Sequence, residues 1–271
     1  MKKEIRLQNL LFPSAQNCTE ESLFFRRIGD IGYILADEYV TLRQGSRLFF
    51  DTYFNSLSAG KWFKYTKINK VSLKLVLNGN FFITLLYKEK QPTQIYSKIV
   101  KEVYINTNGK KEEVVLQYNC EQNQGMYAFA ITSLNPEGFY YGGYYFTEAD
   151  EKDIDDIKIG IIICTFKREK YVYKNMNLLN DTFWKNDNIS DIVHVYISDN
   201  AGTLDIDNLK FKNVKVYKNK NVGGAGGFTR GLIECMKEQN DTHITHALLM
   251  DDDVMIQPES IFRTYRILSL L

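Results

Sequence analysis

The 271 residues are 44% apolar and 25% charged with a net charge of +1, the balance of an ordinary globular protein. A chain this close to neutral has no global field to gather nucleic acid or an anionic membrane, and no apolar run approaches the roughly 18 residues of a membrane span. The cysteines at 18, 120, 164 and 235 form no C-x-x-C, which argues against a zinc knuckle or disulfide scaffold and fits a reducing cytoplasm.

The N-terminal MKKEIRLQNLLFPSAQ carries Lys2 and Lys3 but only a broken apolar stretch, so it lacks a signal-peptide core. DIGYILADEY (30–39) predicts a short strand. VSLKLVLNGNFFITLLYK (71–88) alternates, meets Asn78-Gly79-Asn80 and becomes apolar, which predicts a hairpin. EEVVLQYNC, MYAFAITSL and GFYYGGYYFTEA predict further strands separated by Asn, Gly and Pro. Residues 1–150 therefore predict an all-β sandwich or jelly-roll-like domain. The aromatic FYYGGYYF has two readings, a sugar-stacking face or filling for the β-core, and the core is the expectation. EADEKDIDDIK (148–158) is acidic and aperiodic until Ile157 and reads as a linker.

Beyond it the pattern changes. IKIGIIICTF is a continuous apolar run, as in a parallel strand buried on both faces. YVYKNMNLLNDTFWK predicts a helix, DIVHVYISDNAG a second buried strand and NVKVYKNK a short third. GAGGFTRGLIECMKEQ predicts a helix with a glycine-rich start, and THALLMDDD a fourth buried strand. His243 and His246 lie three apart before that strand, but without nearby Cys or His partners they read as solvated edge residues. SIFRTYRILSLL predicts an amphipathic helix after Pro258. Its Ile261, Phe262, Tyr265 and Leu268 would expose a patch that invites dimerisation, unless the helix folds back onto its own sheet. Strand–helix alternation over 157–271 implies a doubly wound α/β domain, whose ligands sit beyond the carboxyl ends of the strands.

Polar residues cluster at those ends. The first strand ends in Cys164-Thr165-Phe166-Lys167-Arg168, the second in Ser198-Asp199-Asn200-Ala201-Gly202. The third leads to NKNVGGAGG (219–227), and the fourth ends in Asp251-Asp252-Asp253. Three carboxylates at the mouth of a buried strand repel one another, and a hard divalent ion, Mg²⁺ or Mn²⁺, relieves that cost. In an extended stretch side chains i and i+2 share a side. Asp251 and Asp253 then face one ion while Asp252 points elsewhere. Such an ion neutralises a leaving diphosphate. NVGGAGGF matches neither G-x-G-x-x-G nor a P-loop. Its glycines still allow a backbone to approach an anion or a sugar hydroxyl closely, or a helix to pack tightly.

The motifs CTFKRE, ISDNAG, NVGGAGGFTRG and LLMDDDV, in that order, resemble the inverting family 2 glycosyltransferases of the GT-A fold. More closely, they resemble the galactofuranosyltransferases that polymerise bacterial cell-wall galactan. DTYFNSLSAGKWFKYTKINKVSLKLVLNGNF is similar to their β-rich accessory domain. The resemblance implies an α+β two-domain chain, a β-sandwich over 1–150 followed by part of a GT-A domain over 157–271. It implies that Thr165, Phe166 and Arg168 hold the uridine and its phosphates and that Asp199 meets the uracil edge. Asn221, Gly223, Gly224, Arg230 and Asp252 would lie along the donor, with Mn²⁺ or Mg²⁺ on Asp251 and Asp253.

The implied reaction transfers a sugar, galactofuranose by the resemblance, from a UDP-sugar to a glycan or lipid-linked glycan acceptor. That acceptor class would place the protein in the cytoplasm or at the inner face of the cell membrane, and a homo-oligomer remains open. No counterpart of the family's later catalytic base precedes Leu271. The expectation is a donor-binding half that transfers sugar negligibly by itself. The competing expectations are another nucleotide-sugar transferase, such as a rhamnosyltransferase, and a non-catalytic carbohydrate-binding protein.

Overall fold

The structure, a computed structural model, describes residues 2–34, 39–118 and 124–271. Cys120 and parts of two predicted strands, residues 35–38 and 119–120, lie outside the described residues. The chain divides into two compact units, one running up to Ile154 and the other over Asp155–Ser269. No described helix is long and apolar enough to cross a membrane.

The first unit is β-rich. Its elements are β1 (Lys2–Asn9), β2 (Arg26–Ile28), β3 (Ile31–Ile34), β4 (Tyr39–Arg43), β5 (Arg47–Phe49), α1 (Ala59–Tyr65), β6 (Ser72–Asn78), β7 (Asn80–Lys90), β8 (Ile95–Asn106), β9 (Glu112–Gln117), β10 (Met126–Ser133) and β11 (Glu137–Asp150). They form a six-stranded sheet, β3-β4-β11-β6-β9 with β1 on β11, and a five-stranded sheet, β2-β5-β10-β7-β8. Alternation builds the core: Leu73, Leu75 and Leu77 of one sheet and Phe81, Ile83 and Leu85 of the other are all fully buried. Each such side chain contributes about 1.5–3 kcal/mol by leaving water. Rings bridge the sheets, with Tyr118 stacked on Tyr127 at 4.3 Å and Phe50 edge-on to Tyr140 at 5.1 Å.

The predicted hairpin is overturned. β6 pairs with β11 and β9, whereas β7 pairs with β10 and β8, so the chain crosses from one sheet to the other at Gly79. An alternating strand has the same pattern whether the next strand lies beside it or faces it across the core, so periodicity could not decide. Gly79 adopts φ +127°, its N–H donates to Thr107 Oγ1 at 2.7 Å, and a Cβ would stand 3.3 Å from Gly138 Cα. FYYGGYYF divides between two faces, and its alternation shifts at an irregularity between Tyr140 and Gly143. Tyr140 and Tyr145 are fully buried, while Phe139 and Tyr141 are half-buried on the other side beside Tyr39.

Several elements were not expected, among them β1, β2, β5, α1 and β8. α1 buries Ala59 and Trp62 within a half that shows little helical period. β8 is an exposed edge strand with almost no alternation. Its pairing slips between Lys101 and Ile99, and a bulge with edge lysines blunts pairing by other chains. The linker is also shorter than expected, because Glu148–Asp150 belong to β11 and pair with β1.

The second unit contains β12 (Ile159–Thr165), α2 (Glu169–Leu179), a π-helical turn (Asn180–Trp184), β13 (Val193–Asp199), β14 (Val214–Lys218), α3 (Gly223–Lys237), α4 (Gln239–Thr242), β15 (His246–Asp251) and α5 (Pro258–Leu268). Its four strands are parallel in the order β14-β13-β12-β15. On one face, Ile161, Ile163, Val195 and Ile197 pack with Val172 and Met176 of α2 and Ile261 and Phe262 of α5. On the other, Ile162 and Tyr196 pack with Cys235 of α3.

Two expectations are corrected here. α5 does not expose its apolar stripe: Ile261 and Phe262 are buried, with Tyr265 and Leu268 packed against the same cluster. The strand before the aspartates is not buried on both faces. β15 pairs with β12 alone and leaves Leu249 53% exposed.

Candidate functional site

The carboxyl ends of all four parallel strands converge, and side-chain hydrogen bonds tie them together. Thr165, the last residue of β12, is buried and donates through Oγ1 to Asp252 Oδ2 at 2.7 Å. The Phe166 N–H reaches the same oxygen at 3.4 Å. Asp252 is thereby locked onto β12. The exposed Phe166 ring has the Lys167 ammonium 5.4 Å from its centroid. Lys167 itself adopts φ +56°, a turn that carries the chain into α2. Arg168, at the helix entrance, is exposed with its guanidinium 6.0 Å from the Tyr171 ring.

Asn200 is the hub of the opposite side. Its backbone N–H donates to Thr165 O at 2.9 Å, and its Nδ2 donates to Gly223 O at 3.3 Å and meets Cys164 Sγ at 3.4 Å. Its Oδ1 accepts from Asn219 Nδ2 at 2.8 Å. One buried amide therefore joins β12, the loop after β14 and the start of α3. Gly223 and Gly224 open that helix and are exposed, with nothing near where a Cβ would stand. Gly223 needs its φ of +78°, and its N–H is 3.3 Å from Asn221 Oδ1. Gly227 and Gly231 have a different duty. A Cβ would meet Cys164 Sγ at 2.1 Å and Ile162 Cγ2 at 2.4 Å respectively, so they let α3 lie close against β12.

The aspartates depart from the expected geometry. Extended backbone ends at Asp251, and Asp252 and Asp253 occupy a turn, so strand alternation does not govern all three. Asp251 and Asp253 are exposed, and neither makes an ion pair or side-chain hydrogen bond among the described residues. Asn175 on α2 fixes the segment after them. Although 1% exposed, it donates through Nδ2 to Val254 O at 2.6 Å and accepts from the Ile256 N–H at 3.3 Å. A polar residue inside the apolar stripe of Val172, Met176 and Leu179 was the sequence signal for it. In the sequence Asn200 is only one of the polar residues at the end of the second strand, and nothing in its neighbourhood marks it as a hub.

Two candidate residues are engaged by partners within their own segments. Asp199 is 1% exposed. Its Oδ1 accepts from the N–H groups of Ala201 and Gly202 at 3.0 and 2.8 Å, and its Oδ2 from Leu204 at 2.9 Å. It shapes the 200–204 loop. Asp199→Ala leaves three backbone donors without that acceptor and is expected to cost about 1–3 kcal/mol. Urea denaturation of the variant checks this, and an unchanged midpoint would contradict it. Arg230 pairs with Glu234 one turn further along α3 at 2.9 Å, and its guanidinium lies 5.8 Å from the Tyr217 ring.

The chemistry available is binding and polarisation. Burial pushes the Cys164 thiol up, and the Asp252 carboxylate adds to it, so this cysteine stays protonated and is a poor nucleophile. The glycine start of α3 presents the positive end of a helix dipole to an anion, with the Gly223 N–H turned to Asn221 Oδ1. No trio of His, Cys, Asp or Glu able to cage an ion by itself exists among the described residues. Two free carboxylates completed by phosphate oxygens and water are a donor set that Mg²⁺ and Mn²⁺ accept.

A model of the family described as galactofuranosyltransferase 2 N-terminal matches residues 8–146, just over half the chain and nearly all of the β-rich unit. The chain belongs to this family. The galactofuranosyltransferase GlfT2 of Mycobacterium tuberculosis is 24% identical over 231 residues, covering 80% of this chain and 34% of that protein. The GlfT2 of Mycolicibacterium smegmatis is 23% identical over 226 residues, with the same coverage. This member of the family thus spans about a third of the length of the curated relatives it matches. A match over 80% of the chain is longer than the first unit, so it enters the parallel-sheet unit as well. Among solved structures, the CBM22-1–GH10 modules of Clostridium thermocellum xylanase 10B align with TM-score 0.35 and 6% identity, covering 71% of this chain and 38% of that one. A family 29 carbohydrate binding module aligns with TM-score 0.30 and 8% identity over 55% of this chain and 89% of its own. Scores this low fix neither fold nor function.

Proposed function

We propose that the parallel-sheet unit binds the nucleoside diphosphate of a sugar donor, and that the chain is the donor-binding part of a metal-dependent, inverting galactofuranosyltransferase with a GT-A catalytic domain. One observation carries the reading: two carboxylates without ion-pair or side-chain hydrogen-bond partners among the described residues, Asp251 and Asp253, stand on one side of the β12 end, and the open glycine start of α3 is tied to its other side. Anions and a divalent cation would meet at that point. The similarity to GlfT2, which extends into this unit, supports the same choice.

In this reading Phe166 stacks on the uracil and Arg168 supplies positive charge near the phosphates. The backbone at Gly223 and Gly224 lets the diphosphate approach the start of α3, and Asn221, which accepts from the Gly223 N–H, sets the turn. Asp252, held by Thr165, fixes the spacing between the two free carboxylates. Those carboxylates would hold Mn²⁺ or Mg²⁺, which supplies Lewis-acid neutralisation of the departing diphosphate. Asp199 acts by shaping the 200–204 loop. We place the acceptor among growing cell-surface glycans, free or lipid-linked, which puts the protein in the cytoplasm or at the inner membrane surface.

A nucleotide panel tests the proposal. Isothermal titration with UDP, GDP and dTDP, each in Mn²⁺ and in EDTA, should give binding strongest for UDP and weakened at least about tenfold by EDTA. UDP-galactofuranose should bind more tightly than UDP-galactopyranose. Equal affinity for all three nucleotides, or binding indifferent to EDTA, contradicts the reading.

A further inference from the structure

A second concavity lies in the β-rich unit, on the side of the five-stranded sheet away from the core. β7 and β8 run past the start of β10, so Glu89, Lys90, Ile95 and Tyr96 pair with one another beyond the end of the sheet. This two-stranded arm is closed by a turn in which the Gln91 N–H donates to Gln94 O at 2.9 Å. Between the arm and the 51–56 segment is a cleft of about 600 Å³, within the roughly 300–1,000 Å³ typical of small-molecule sites.

One wall is rigid. Asp51, whose side chain is only 4% exposed, receives a bidentate fork from Arg26, with Nε 3.1 Å from Oδ1 and Nη2 2.7 Å from Oδ2, and pairs with Lys88 of β7. Burial pushes the Asp51 carboxyl up, but the hydrogen bonds and charges of Lys88 and Arg26 outweigh it and hold the group below its usual range. The 51–56 segment is therefore pinned across β10 to β7. The other wall, the arm, is exposed throughout 91–99.

The lining selects a ligand class. Its carboxylates, Asp51 and Glu89, are balanced by the ammonium groups of Lys88 and Lys90, so no net field favours a nucleotide or a polyanion. Four neutral side chains, Ser56, Gln91, Thr93 and Gln94, both donate and accept hydrogen bonds. The apolar part is supplied by Met126, Pro92 and Ile95, with no aromatic ring among the described lining residues, so a base has nothing to stack on. Balanced charge, dense hydroxyl and amide groups and small aliphatic surfaces suit a neutral polyhydroxylated chain. From this cleft we infer that the β-rich unit carries an oligosaccharide-binding site of its own, independent of the nucleotide crevice.

The test uses the full chain. Titration followed by NMR or calorimetry, with a linear galactofuranosyl tetrasaccharide, cellotetraose and maltotetraose as neutral probes and a heparin-derived tetrasaccharide as the charged contrast, should show saturable binding of at least one neutral probe below about 10 mM. Shifts should centre on residues 88–95. The double variant Gln91→Ala/Gln94→Ala alters only the exposed turn. It should weaken that binding at least about fivefold while leaving the melting temperature and UDP binding unchanged. Failure of every neutral probe to saturate, preference for the sulfated probe, or binding undiminished in the double variant overturns the inference. UDP titration in the same samples keeps this outcome separate from that of the nucleotide site.

Discussion

Gly231→Val is expected to destabilise the parallel-sheet unit by about 3 kcal/mol, through overpacking where no room exists. The glycine lies on the face of α3 that presses on β12. A bare Cβ there already stands 2.4 Å from Ile162 Cγ2, and a β-branched strand residue has little freedom to rotate away. Valine adds two further methyl groups at the same point. Helix propensity favours the change from glycine by under about 1 kcal/mol, too little to offset the clash. Gly224→Ala is the control, because nothing lies near its Cβ and it needs no positive φ. Denaturation followed by fluorescence separates the units, since Trp62 reports the first and Trp184 the second. In a Trp62→Phe background, Gly231→Val should lower the Trp184 midpoint and Gly224→Ala should leave it in place. An unmoved midpoint for Gly231→Val would show that α3 does not rest on β12 as described.

The second large effect concerns the aspartates. Asp251→Asn and Asp253→Asn should each weaken UDP binding in Mn²⁺ by about tenfold or more, and neither should alter binding in EDTA. Both side chains are exposed and unpaired, so their loss should leave the fold intact. Asp252→Asn should behave differently. Its carboxylate accepts from Thr165 and the Phe166 N–H, so the variant loosens the turn and should affect stability along with binding. Calorimetry and thermal unfolding of the three variants separate these outcomes. A variant of Asp251 or Asp253 that binds UDP as the unmodified chain does would remove that carboxylate from the site.

Much of this organisation was legible in the residues. The continuous apolar runs at IGIIICT and VHVYISD became adjacent parallel strands, because a strand covered on both faces has no polar side to alternate with. Alternation around Leu73–Leu77 and Phe81–Leu85 revealed a β-rich half, but it could not say which strands pair, so a crossing between sheets was read as a hairpin. β8 escaped notice because its apolar residues, such as Ile95, Ile99 and Val103, recur four apart and do not alternate, so no strand period stands out. Within the candidate site, chemistry-bearing residue types were visible and their orientation was not. The place of Asp199 at the uracil edge comes from the family resemblance; its three N–H partners depend on a loop conformation that no spacing encodes. The same resemblance sets Arg230 along the donor and takes no account of its i,i+4 glutamate, which draws it along the helix. The glycines divide by what surrounds them. Gly223 and Gly224 face open space, whereas Gly227 and Gly231 touch β12, and the string NVGGAGGFTRG gives no hint of that division.

The most direct trial of the whole account is anomalous diffraction from crystals of the chain soaked with UDP and Mn²⁺. The account places a manganese peak between the carboxylates of Asp251 and Asp253, touching diphosphate oxygens, with the nucleotide running towards Phe166. Density for UDP without a metal at those carboxylates, or a manganese site remote from them, would contradict it.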